Sequence, residues 1–382
     1  MRFVLVGPSA PLRGGIAIDN DALARVLSQA GHLVAQISFS RLYPNLLFPG
    51  HSQYDVTAGE VLSQAQLCID SINPLSWWRT ANTIACSQPH LVTFQWWHPF
   101  FAPCYATIMA RLKRISSTAT RVLISHNTRP HEQLPGQDAA LRVVARQCDG
   151  VIVHSRSEQD LMTVVAPGTV VRLVDYPLLP IAHPLPARDA AQRRLGVSGR
   201  VLLFFGYVRK YKGVDLLLQA LAQVPADFAV TLLVAGEFYD PQESYQTLIQ
   251  ELGLTDRVRI INRYIPEPEW PDLFAATDAL VLPYRTASQS MSIALAYGFG
   301  KPVIVSRVGG LAEAVENGHT GLIVEPTPAA LATAIQRLYA ELLVSPYQGH
   351  LAARRQRLGW EPFIRLLETW KDLAGQKDQA AV

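Results

Sequence analysis

Apolar, β-branched runs of four to six residues alternate along this chain with longer stretches whose apolar positions recur at helical spacing, the pattern of parallel βα units. In the first half the runs expected as strands are residues 3–6, 33–38, 91–95, 122–125, 150–154 and 169–173. In the second half they are 201–206, 230–236, 257–262, 279–283, 302–306 and 321–324. Either set alone suffices for a doubly wound sheet. Between them lies "DYPLLPIAHPLPARDAAQRRLGVSGR", whose Pro177, Pro180, Pro184 and Pro186 suit a linker. The last segment, "GWEPFIRLLETWKDL", has an amphipathic period and is expected to pack back across the domain boundary. The tail from Gly375 is expected to fray. The pattern therefore predicts an α/β protein of two Rossmann-like doubly wound parallel-sheet domains facing each other across a cleft. Residues 1–182 form the first, 183–358 the second, and 359–382 a returning C-terminal helix. In such sheets ligands sit beyond the carboxyl ends of the strands, so the residues just after each strand carry the functional question.

Composition narrows this picture. The 382 residues exceed what one hydrophobic core usually supports. A chain 49% hydrophobic and 17% charged is an ordinary folded one. The net charge of +3 is too small to argue for nucleic acid and leaves anionic small molecules or lipid headgroups as partners. Cys68, Cys86, Cys104 and Cys148 form no CxxC pair, which favours buried thiols in a reduced compartment over a metal site. The apolar run in "MRFVLVGPSAP" is too short for a secretion signal, and no stretch reaches the length needed to cross a bilayer. A cytoplasmic protein is expected. Peripheral contact with the inner membrane surface stays open, because "PLSWWRTANTIA" and "MARLKRI" could form an amphipathic, basic surface.

The most informative segment is "VLLFFGYVRKYKGVDLLLQAL". A buried strand ends at Gly206, a short loop carries Arg209, Lys210 and Lys212, and a helix begins near Gly213. A planar guanidinium beside a compact ammonium suits a diphosphate, though a solvated basic loop is the ordinary outcome of such a cluster. In "TASQSMSIALAYGFGKPV" a second strand gives way to a helix at Ser288, Gln289, Ser290, Met291 and Ser292. Free backbone N–H groups there attract anions, and the serine hydroxyls can cap the helix as well as bind phosphate.

The first half offers weaker signals. Gly14 and Gly15, in "RGG", let backbone approach a ligand closely. Asp19 and Asp21 form a DxD, but inside a helical segment, where solvation is the expected role. His126 ends a strand in "RVLISHNTRPHEQ", with His131 close behind. His126 can bond a sugar hydroxyl or shuttle a proton, and a satisfied buried histidine is the equal alternative. In "VTFQWWHPFF", Trp96, Trp97 and His98 end another strand, one tryptophan expected in the core and the other lining a cleft. His154 ends a further strand. Tyr264 and Ile265 follow a strand of the second half, where a flat or apolar side chain could lie against a nucleobase.

The order "FFGYVRKYKGVDLL", "LLVAGE", "NRYIPEPE", "FAATDALVLPYR", "AYGFGKPVIVSRVGGLAEAVENGHTGLIV" resembles the GT-B-fold retaining glycosyltransferases of family GT4, closely from Val201 to Glu325. "RGGIA" and "SHNTRPHE" resemble, more loosely, bacterial members acting on polysaccharide or lipid-linked acceptors. The resemblance implies a first domain for the acceptor and a second for a UDP- or GDP-sugar donor. It implies Lys212 and Arg209 on the donor diphosphate, with Tyr207 at the family's usual arginine position. Tyr264 and Ile265 fall at the base, His126 at the transferred sugar, and Trp97, His98 and His131 toward the acceptor. No cofactor and no metal are expected. One departure stands out: the family's Glu-x7-Glu pair falls on Ala287 and Leu295, so both acids are missing. The helix N-terminus remains, and Gln289 can offer a neutral hydrogen bond to the sugar. Two alternatives follow: a relative without turnover that binds nucleotide sugars or acts as a scaffold, and a sugar-nucleotide epimerase.

Overall fold

The structure is a computed structural model that describes residues 1–44, 48, 50, 52–55, 65–116, 118–130, 132, 134–181, 184–342 and 347–370. The chain divides into two compact units. One comprises Met1–Asp175 with the segment beginning at Trp360, the other Tyr176–Gly359. The division falls between 175 and 176 rather than at the expected 182/183. The proline-rich stretch begins inside the second unit, where the Leu178 N–H donates to the Leu358 carbonyl at 3.0 Å.

The first unit is built on seven strands: β1 (Arg2–Val6), β2 (Leu33–Arg41), β3 (Gln66–Asp70), β4 (Leu91–Trp96), β5 (Thr120–Ser125), β6 (Gly150–Val153) and β7 (Val171–Leu173). They lie in the order β3-β2-β1-β4-β5-β6-β7, and every pairing is parallel. All six residues of β4 and all six of β5 are buried, as a sheet covered on both faces requires. One face packs Phe39, Phe94, Trp96, Phe101 and Tyr105; the other packs Phe3, Leu5, Leu27 and Ile152 against Phe363, Leu367 and Trp370. The returning helix Glu361–Glu368 thus completes the core of this unit.

The second unit holds β8 (Arg200–Phe205), β9 (Val230–Ala235), β10 (Val258–Ile261), β11 (Ala279–Leu282), β12 (Val303–Ser306) and β13 (Gly321–Val324). Their order is β10-β9-β8-β11-β12-β13, again all parallel. In both sheets the winding reverses direction between the first strand and the fourth, which fixes where ligands bind in open parallel sheets. The pattern along the chain predicted two such sheets; β3, "QLCID", is the strand it did not show.

Candidate active site

In the second unit the reversal lies between β8 and β11, and the loops that follow these strands are tied together. Gly213 has φ 68° and sits so close to the Pro283 carbonyl that a Cβ there would lie 2.1 Å from its oxygen. The Arg285 N–H donates to the Tyr211 carbonyl at 2.7 Å, and its guanidinium bonds the Lys210 carbonyl at 2.8 Å and both Asp215 oxygens at 2.8 and 2.6 Å. These bonds hold the basic loop against the residues leading into the helix Met291–Gly298.

Lys212 is directed inward. Its Nζ lies 3.3 Å from the point a Gly206 Cβ would occupy, and the Ser292 hydroxyl lies 4.0 Å from the same point. The ammonium also sits 5.4 Å over the Tyr284 ring. Burial, aided by the neighbouring Arg209 charge, pushes Lys212 down to about 8. A cation this costly to bury gains most from an anionic ligand. Arg209 lies 5.1 Å over the Tyr239 ring, which in turn packs 4.7 Å from Tyr207.

Ser290 caps the helix Met291–Gly298 by accepting the Ser292 N–H at 3.3 Å, and the Ser292 hydroxyl donates to the Phe205 carbonyl at 3.4 Å. Capping and contact with the strand-end glycine thus coexist in one turn. Gly309 backs this turn: its φ is 42°, and a Cβ there would fall 1.9 Å from the Ala287 carbonyl oxygen. The Gly310 N–H donates to the Ser288 carbonyl at 3.1 Å. Ala287 and Leu295, where the family's carboxylates would stand, are 8% and 1% exposed. Leu295 lines a small hollow with Ile181, Trp270, Pro271 and Phe299, beside Glu267. Gln289 and Met291 are partly buried. Tyr264 is partly buried, whereas Ile265 is 4% exposed and offers its carbonyl to the Trp270 indole N–H at 3.1 Å.

In the first unit the corresponding reversal lies between β1 and β4. Gly14, with φ 114°, forms the N-cap of the helix Gly15–Gln29, and its carbonyl accepts the first N–H groups of that helix. Asp19 and Asp21 are not solvated helix positions. Asp19 is 8% exposed, with Oδ2 3.6 Å from His126 Nδ1. The Asp21 carboxylate accepts the Ala10 N–H at 2.9 Å and the Gln36 amide at 2.7 Å. Two positions apart on the helix, they point in different directions and find separate partners, Asp19 at His126 and Asp21 at Ala10 and Gln36. His126 is 5% exposed and bonded through Nε2 to Gln95 at 2.7 Å; burial and the neighbouring His154 lower its pKa to about 3.

The remaining residues singled out from the sequence have local roles. Trp96 is core, and Trp97 donates its indole N–H to the Tyr43 hydroxyl at 3.0 Å with its ring 4.3 Å from Phe101. His98 accepts the Phe100 N–H at 3.2 Å and caps the turn Pro99–Phe101. His131 lies outside the described residues. Sequence reasoning missed Asn20 and Gln95, both buried polar residues beside His126. The signal was a glutamine inside the apolar strand "LVTFQW", which needs an internal partner when both faces are covered.

Residues 199–341, which carry the loops around Lys212 and Ser292, match the family model described as glycosyl transferases group 1. The match lies within the second unit, and there the chain is similar to that family. It is 32% identical over 205 residues to D-inositol 3-phosphate glycosyltransferase 1 of Catenulispora acidiphila, covering 50% of this chain and 49% of that protein. It is 28% identical to mannosylfructose-phosphate synthase of Agrobacterium fabrum, covering 48% and 43%. The chain spans about half the length of the curated relatives it matches. Among solved structures, sucrose-phosphate synthase from Thermosynechococcus elongatus superposes with a TM-score of 0.72 at 22% identity over 100% of both chains. Anabaena HepE in complex with UDP-glucose gives 0.74 at 18% identity, over 97% of this chain and 99% of that one. At these identities the likeness is one of fold, the GT-B fold.

Proposed function

We propose that the protein is a glycosyltransferase that moves a sugar from a UDP- or GDP-sugar to a glycan or lipid-linked acceptor, with retention of configuration and without a metal. The observation that carries this reading is the meeting of the Lys212 ammonium and the Ser292 hydroxyl at Gly206, where the second sheet reverses. As the sugar–phosphate bond breaks, negative charge grows on the leaving diphosphate. Lys212, Arg209 and the N–H groups at Ser290–Ser292 are the donors suited to that charge, and fixed donors of this kind lower barriers by several kcal/mol. The leaving phosphate then takes the acceptor's proton on the same face of the sugar, so no carboxylate nucleophile is needed. His126 faces the transferred sugar in this reading, Gly14 and Gly15 bring backbone close to it, and Tyr264 and Gln289 contact the base and the sugar.

The acceptor belongs to cell-surface polysaccharide or glycoconjugate synthesis in this reading, near Trp97, His98 and His131. Relatives named for phosphorylated sugars and inositol phosphate support a second acceptor class, small phosphorylated polyols. Peripheral attachment to an anionic inner membrane surface is part of the proposal. Leu75 and Trp78 are 68% and 52% exposed, and Arg111 lies 4.0 Å over the Trp78 ring. Basic Lys113 and Arg114 close the same helix as Arg111. No helix among the described residues is long and apolar enough to cross a membrane.

A panel of nucleotide sugars, assayed for thermal stabilisation and for hydrolysis with and without acceptors, tests the proposal. Stabilisation by UDP or GDP with sugar transfer supports it. Stabilisation without turnover indicates the inactive relative, and failure of both nucleotides at millimolar concentration contradicts the donor site.

A further inference from the structure

Pro8, whose carbonyl follows β1, accepts the Asn20 amide N–H at 3.1 Å; the same Nδ2 also reaches the Ser9 hydroxyl at 3.0 Å. A carbonyl can only accept, so Asn20 must turn its Nδ2 toward Pro8 and its Oδ1 the other way. That Oδ1 accepts the Gln95 Nε2 at 3.0 Å, which leaves Gln95 Oε1 to face His126 Nε2 at 2.7 Å. An amide oxygen 2.7 Å from a ring nitrogen demands a proton on that nitrogen. Asn20, Gln95 and His126 are 0%, 1% and 5% exposed, so water does not compete for these bonds. Gly7 makes room for the relay: a Cβ there would lie 2.5 Å from Gln95 Cγ and 3.5 Å from Asn20 Nδ2.

We infer that Asn20 and Gln95 are positioning residues, carrying the polarity of the Pro8 carbonyl to His126 and fixing its ring with the proton on Nε2 and the lone pair on Nδ1. His126 Nδ1 then lies 3.6 Å from Asp19 Oδ2, so a hydroxyl donating there meets an imidazole lone pair beside a carboxylate oxygen. His126 is therefore a hydrogen-bond acceptor at Nδ1 rather than a proton donor. The low affinity of the buried ring for a second proton fits this role. His154 is fixed with the opposite tautomer, because its Nδ1 faces the Val174 carbonyl at 3.1 Å. The inference is independent of the transfer reaction, since the tautomer is a property of the unliganded protein.

Protein labelled with nitrogen-15 in histidine, with the His126 signals identified by their loss in His126→Gln, reports each ring nitrogen separately. The expected result is a protonated Nε2 and a bare Nδ1 from pH 5 to 9; a protonated Nδ1 overturns the inference. Gln95→Glu places a carboxylate against Nε2 and should raise the His126 titration midpoint by more than one pH unit. Unchanged titration in Gln95→Glu overturns the relay. If that variant does not fold, the wild-type tautomer still decides.

Discussion

Lys212 sets stability against binding, and replacing it by methionine separates the two. The lysine falls from its ordinary 10.5 to about 8, chiefly through burial. At roughly 1.4 kcal/mol per pH unit, a fall of about 2.5 units corresponds to a penalty of about 3 kcal/mol as a ceiling. The side chain keeps some access to solvent, so we take ~1–3 kcal/mol. The unfolded lysine stays protonated to 10.5 and the folded one only to about 8. The penalty is therefore complete below pH 8 and disappears as the pH climbs between these values. Lys212→Met keeps the stem and removes the charge. Without ligand at pH 7 it should melt higher than wild type, by roughly 2–12 °C at ~2–4 °C per kcal/mol. Its affinity for a nucleoside diphosphate should fall by about 10- to 100-fold, the worth of a charge-assisted hydrogen bond. Melting curves of both proteins, with and without UDP and GDP, read both effects. A variant that melts lower without ligand and is stabilised by nucleotide as strongly as wild type would refute the reasoning.

Other perturbations have equally definite outcomes. His126 and His154 are lowered from 6.5 to about 3 and about 4, so the unfolded chain binds protons the folded one refuses. Stability should therefore fall as the pH drops below 6.5, by up to about 1.4 kcal/mol per pH unit for each ring. Urea titrations at pH 7 and pH 5 should show His126→Gln losing less than wild type over this interval. Gly309→Ala forces a Cβ against the Ala287 carbonyl. It should cost ~2 kcal/mol or more and weaken nucleotide binding by shifting the Ser288–Ser292 turn, both measurable by melting with and without UDP. Ser290→Ala removes the cap of the helix Met291–Gly298 and should cost about 1 kcal/mol in urea unfolding. Trp78→Ala with Arg111→Ala should reduce sedimentation with anionic vesicles while leaving melting in solution within about 2 °C.

The strands of the second unit were legible because each is a short, mostly apolar run, as β8 is up to Gly206. β3 was not, because at the sheet edge Gln66 and Leu67 are exposed and only Ile69 is buried, so it carries no sustained apolar run. The basic loop and the serine turn were readable as separate phosphate-friendly pieces. What the chain could not show is that Arg285, Asp215 and the Gly213–Pro283 contact clamp them together, since these bonds span about 70 residues. The Asn20–Gln95–His126 relay was hidden for the same reason. Asn20 and Gln95 are 75 positions apart, and only the parallel pairing of β1 with β4 brings them into contact. Asp19 and Asp21 misled because their partners, His126 for one and Ala10 and Gln36 for the other, come from other elements that the helical segment does not name.

The account rests on a diphosphate held by Arg209, Lys212 and the turn at Ser290–Ser292. Calorimetric titration of UDP and GDP into wild type and into Arg209→Ala/Lys212→Ala tests it most directly. The account predicts binding of at least one nucleotide to wild type and its loss in a double variant that still melts cooperatively. Equal affinity in the two proteins would contradict it.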